Sequence, residues 1–115
     1  MVGLSPKPHR PSHGVSQYMQ SQGYQILPVN PGHDRILGEQ TYPSLTSIPV
    51  EFETVNIFRN PKYVMPIVEE AIKSPATYLW MQEGVVNEQA GQKARDAGMI
   101  VVMNRCILKE HRRLM

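Results

Sequence analysis

The residues best placed to do chemistry stand at the front of the chain, in MVGLSPKPHRPSHGV. An apolar run breaks at Gly3, passes through a basic, proline-stiffened loop, and reaches Ser12 at an expected helix start. A strand that turns through glycine into a helix N-terminus presents free backbone N–H groups and the positive end of the helix dipole, which together attract anions. Lys7, His9, Arg10 and His13 add more positive charge than one phosphate needs, so a polyphosphate or phosphorylated nucleotide is the expected ligand. Arg10, whose guanidinium can fork around a phosphate, is expected to matter more than Lys7, and both more than the histidines.

Such a loop needs a sheet behind it. Apolar, β-rich runs recur at Met1 to Ser5, Gln25 to Val29, Thr54 to Phe58, Thr77 to Met81 and Met99 to Met103, several of them apolar nearly throughout. Strands read that way when helices cover both faces of a parallel sheet. Helical patterns alternate with them: Ser12 to Gln22, ending at Gly23; a second from Asn60-Pro61 to Ile72; Val86 to Ala97, ending at Gly98; and Ile107 to Arg113. Gly32 to Val50 reads as a loop with a short strand or turn at Ile36-Leu37-Gly38-Glu39. The expected fold is α/β: a Rossmann-like, doubly wound, mainly parallel five-stranded sheet with helices on both faces, in three α/β/α layers. In such sheets ligands sit outside the carboxyl ends of the strands. The turns Ser5-Pro6-Lys7, Asn30-Pro31, Arg59-Asn60, Gln82-Glu83-Gly84 and Asn104-Arg105-Cys106 all fall on that edge.

Composition limits the alternatives. A chain of 115 residues, 41% hydrophobic and 19% charged, is expected to form one globular domain spanning residues 1–115. Twelve Lys and Arg against ten Asp and Glu leave a net charge of +2, too small a field to argue for nucleic acid. No apolar run approaches a membrane span, and the single Cys106 fits a reducing, cytoplasmic setting. Oligomeric state and protein partners are left open.

Neither G-x-G-x-x-G after the first strand nor an acid at the end of the second is present, which counts against a small NAD(P)-binding oxidoreductase. A P-loop is absent too. Cys106 with His111 as base, or Glu83 as general base, would make an enzyme acting on acyl thioesters. Cysteines at strand ends are more often small buried hydrophobes, and an acid at a helix-starting turn often serves only the dipole. No catalytic residue is assigned. No metal site is assigned either, because His9, His13, His33 and Cys106 match no ligand spacing.

Together GLSPKPHRPSHGV, YQILPVNP, ILGEQTYPSL, VNIFRNPKYVMPIVEEAI, WMQEGVVNEQA and VVMNRCILKEHRRL resemble the small single-domain CoA-binding proteins over essentially the whole chain. These are stand-alone relatives of the CoA-binding Rossmann domain at the N-terminus of the succinyl-CoA synthetase alpha subunit. The resemblance implies non-catalytic binding of coenzyme A or an acyl-CoA. It places phosphate on the first loop, at Gly3, Leu4, Ser5, Lys7, Arg10, Pro11, Ser12 and His13. It puts ribose and adenine beside Val29, Asn30 and Pro31, with Phe58 and Arg59 at the next strand end, and the pantetheine path near Gln82, Glu83 and Gly84. Two departures stand out. Relatives begin with a helix and a full apolar first strand, whereas here Met1-Val2 directly precede Gly3, so a shortened first strand is expected. The synthetase's second domain, with its phosphorylated histidine, has no counterpart here, so ligase chemistry is not implied.

Overall fold

The computed structural model describes residues 1–114, in the order α1 (Pro11–Ser21), β1 (Arg35–Ile36), β2 (Glu39–Gln40), β3 (Thr54–Ile57), α2 (Val64–Ile72), β4 (Tyr78–Met81), α3 (Glu88–Asp96), β5 (Ile100–Val102) and α4 (Ile107–Leu114). Strands β3, β4 and β5 form a parallel sheet in that order, Ile57 opposite Met81 and Tyr78 opposite Ile100. Beyond β3 the sheet continues through single residues. Val2 bridges Ile57 on one side and Val29 on the other, and Val29 bridges Tyr42, all in parallel sense.

The expected five strands are therefore three, with Val2 and Val29 in the places of the first two. Toward β3 the run ending at Val29 pairs only with Met1 to Gly3: the Val29 N–H donates to the Met1 carbonyl at 3.0 Å, and the Gly3 N–H to the Val29 carbonyl at 3.1 Å. Pro28 further lacks an N–H to donate. The shortened first strand is as expected.

Helices α2 and α3 pack together on one face, where Val64, Val68, Ala71, Ala90 and Ala94 meet Val55, Ile57, Leu79 and Met81. On the other face α1 and α4 close over a smaller cluster of Leu4, Met19, Ile26 and Ile36, with Ile107 against it. Rossmann-like α/β layering thus holds.

Local chemistry explains the boundaries. Helix α1 opens on Pro11 rather than Ser12: Arg10 is the extended N-cap, and the fixed φ of proline suits the first helical position. The expected second helix divides into a 3-10 turn over Pro61–Tyr63 and then α2. A continuous helix would set the ring of Pro66 against the Lys62 carbonyl and lose that hydrogen bond. Restarting at Val64 puts Pro66 in a first turn, where no partner is needed. Helix α3 starts later than expected because Asn87 caps it, its side chain accepting from the Ala90 N–H at 3.0 Å. Between α1 and β3, antiparallel β1 and β2 turn at Leu37 and Gly38, both with positive φ. That turn is the short feature expected at Ile36 to Glu39.

Candidate functional site

Where Val2 parts from its neighbours at the carboxyl end of the sheet, a cleft of about 620 Å³ opens. Three walls come from the strand ends. The first is the loop after Val2, with Gly3, Ser5, Pro6, Lys7, Arg10, Pro11 and Ser12. Gly3 makes its turn possible, with φ at +84° and an added Cβ only 3.1 Å from Arg59 Cδ. Two short hydrogen bonds fold the loop onto itself: Ser12 Oγ accepts from the Ser5 N–H at 3.0 Å, and Ser5 Oγ from the Lys7 N–H at 3.1 Å. Both serine side chains are thus scaffolding. Helix α1 has no side-chain cap and no acid in its first turn, so its N-terminus keeps its positive character beside Lys7 and Arg10.

The second wall is Val29, Asn30 and Pro31. Asn30 is a bracket: its Nδ2 donates to the Leu4 carbonyl and its Oδ1 accepts from the Gly32 N–H, each at 2.9 Å. The third wall joins Phe58 and Arg59 with Gln82, Glu83 and Val85. The Arg59 guanidinium carbon lies 5.0 Å from the centroid of the Tyr63 ring, a cation–π contact that steadies it at the rim. Gln82 is buried; its Nε2 donates to Asn56 Oδ1 at 2.7 Å and its Oε1 accepts from the Ile107 N–H at 3.3 Å, tying the strand end to α4. Glu83, the acid in the lining, is held by Lys109, whose Nζ donates to both carboxylate oxygens. That hydrogen bond and charge raise the Lys109 ammonium above its ordinary pKa.

Three expected ligand residues fall outside the lining. Leu4 is fully buried in the smaller core cluster, His13 lies on α1 away from the cleft, and Gly84 turns outward, its N–H donating to Asn104 Oδ1 at 2.8 Å. Sequence reasoning in turn missed Val2, Val85, His33 and Pro43. His33 stands three residues past Asn30 in the same turn, and Pro43 follows Tyr42, which hydrogen-bonds back to Pro28. Cys106 is half-buried and does not line the cleft, and His111 Nδ1 is 2.9 Å from the Tyr18 hydroxyl. Trp80 is half-buried, its indole N–H donating to the Arg105 carbonyl. Among the described residues no three His, Cys, Asp or Glu side chains gather as metal ligands, and no helix is long and apolar enough to cross a membrane.

Comparison with known proteins bears on this geometry. A family model described as a CoA binding domain matches residues 1–112. The uncharacterized protein YneT of Bacillus subtilis (strain 168) is 41% identical over 111 residues, which are 96% of this chain and 82% of that one. A hypothetical protein from Pyrococcus horikoshii OT3 superposes with a TM-score of 0.96 at 45% identity, covering 98% of this chain and 80% of that chain. At 20% identity, where only the fold is shared, the dinucleotide-forming acetyl-coenzyme A synthetase 1 of Ca. Korarchaeum cryptofilum superposes with a TM-score of 0.78. That match covers 90% of this chain and 25% of the synthetase.

Proposed function

The chain belongs to the CoA-binding domain family, and from that premise we propose that it binds coenzyme A or an acyl-CoA, without catalysis, in the cleft at the carboxyl end of its sheet. One observation carries the reading. Lys7, Arg10 and the uncapped start of α1 converge on one wall of a cleft large enough for an extended nucleotide. Anionic phosphates find there both the positive end of the helix and fixed cations.

The other walls suit the rest of such a ligand. No carboxylate closes the turn at Asn30, so a phosphorylated ribose meets no repulsion there, and His33 adds a polar neighbour. Phe58 and Val85 offer apolar surface along the path that a pantetheine arm would follow toward Gln82 and Glu83. The acyl-thioester reading loses ground on geometry, since Cys106 stands off the cleft and Glu83 is committed to Lys109.

Native mass spectrometry of the protein mixed with CoA tests the proposal. One CoA retained per chain is the expected spectrum. A spectrum without adduct at millimolar CoA, with the protein folded, would overturn it.

A further inference from the structure

The cations that line the cleft stand apart from one another. Lys7 and Arg10 flank the start of α1, whereas Arg59 stands on the third wall among Phe58, Gln82, Glu83 and Val85. Arg59 follows the carboxyl end of β3, and its stem crosses Gly3, where an added Cβ would lie 3.1 Å from its Cδ and 3.3 Å from its Cγ. Its guanidinium then rests over the exposed ring of Tyr63. Among the described residues it has no carboxylate partner: the ion pairs are Lys93 with Glu69, Arg105 and Arg113 with Glu110, and Lys109 with Glu83. The acid that shares its wall is thus matched from α4, and Arg59 is the surplus charge there.

Stem and ring together hold the guanidinium in place. Stacking occupies one of its faces and leaves the N–H edge free, and that edge matches the paired oxygens of a planar carboxylate. Coenzyme A itself brings no anion to this wall. In the mode proposed above its phosphates meet Lys7, Arg10 and the start of α1, and the arm that follows Phe58 and Val85 is uncharged. A neutral acyl group would displace water from Arg59 and give it no acceptor, which costs affinity, whereas a carboxylate would restore the lost hydrogen bonds. We propose that the cleft selects acyl-CoA esters whose acyl group ends in a carboxylate, with Arg59 as the residue that recognises it. The preference presupposes CoA binding in this cleft and adds the class of ester carried. Lys109 sustains it, since an unmatched Glu83 would repel the same carboxylate.

Calorimetric titration of the full chain with esters of matched carbon count tests it: malonyl-CoA against propionyl-CoA, and glutaryl-CoA against valeryl-CoA, with plain CoA alongside. In the wild type at least one carboxylated ester is expected to bind about fivefold or more tightly than its neutral counterpart, an advantage that shrinks as salt is added. Arg59→Gln should bring that ratio to within about twofold. Arg59→Lys, which keeps the charge but loses the fork, should retain only part of the preference, and Tyr63→Leu, which removes the platform, should lower it too. Both positions are exposed, so these variants are expected to fold. An Arg59 that serves a phosphate instead would show a different pattern, in which Arg59→Gln weakens both members of each pair alike and leaves the ratio unchanged. That pattern, or equal binding within both pairs by the wild type, would overturn the proposal while leaving CoA binding intact. Failure of plain CoA and every ester to bind would overturn the CoA reading and this proposal together.

Discussion

Lys109 Nζ lies 3.0 and 3.1 Å from the two carboxylate oxygens of Glu83, so the acid in the cleft lining is neutralised from α4. The pair is exposed and contributes little to stability, but it removes a negative charge from the path of an anionic ligand. Lys109→Met is expected to weaken CoA binding about two- to fivefold at low salt, with the loss shrinking as ionic strength rises. Glu83→Gln should bind as wild type does, and adding it to Lys109→Met should recover the affinity. Calorimetric titration of the four proteins checks the cycle.

Gln82 and Asn56 form a buried amide pair beneath the cleft, and Asn56 Nδ2 has no partner among the described residues. Gln82→Leu strands the Asn56 carbonyl oxygen as well and frees the Ile107 N–H. A loss of about 1–3 kcal/mol in urea unfolding is expected. Asn56→Val combined with Gln82→Leu should recover part of that loss, since two apolar groups leave nothing unpaired.

Gly3 turns with φ at +84° and sits against Arg59. Gly3→Ala imposes a left-handed conformation on a residue with a Cβ, which costs about 1–2 kcal/mol, and pushes on the Arg59 stem. Reduced stability together with weaker CoA binding is expected. A variant that loses stability but binds with full affinity would separate the turn from the site.

The buried α-amino group of Met1, lowered from its ordinary 8.0 to about 5, makes stability depend on pH. Between those values the unfolded chain holds a proton that the folded chain has released, so stability rises with pH from about 5 to 8 and levels off above. Acetylating the amino group should flatten this dependence. Unfolding midpoints measured across that range, with and without acetylation, check it.

The sequence made the layering and most of the cleft legible because both follow from periodicity and strand ends. Lys7, Arg10, Asn30, Arg59 and Gln82 all follow apolar runs, and in a parallel sheet such positions must gather on one edge. Leu4 was misjudged for want of the same rule: two residues beyond Val2, it belongs to the packed interior rather than to the loop. His33 and Pro43 were out of reach because their segment is shaped by Leu37 and Gly38, and a leucine at positive φ is no turn signal. The strand count failed because an apolar run forms a ladder only as long as its partner, and Met1 to Gly3 offer Val29 just one bridge.

The most direct measurement is isothermal titration of the protein with CoA beside two variants, Arg10→Ala in the phosphate wall and Arg112→Ala on α4 outside the cleft. Charge-assisted hydrogen bonds contribute about 1.5–3 kcal/mol, so Arg10→Ala should bind CoA at least about tenfold more weakly, with one site per chain in the wild type and Arg112→Ala unchanged. No heat at millimolar CoA, or an Arg10→Ala titration that overlays the wild type, would contradict CoA binding in this cleft.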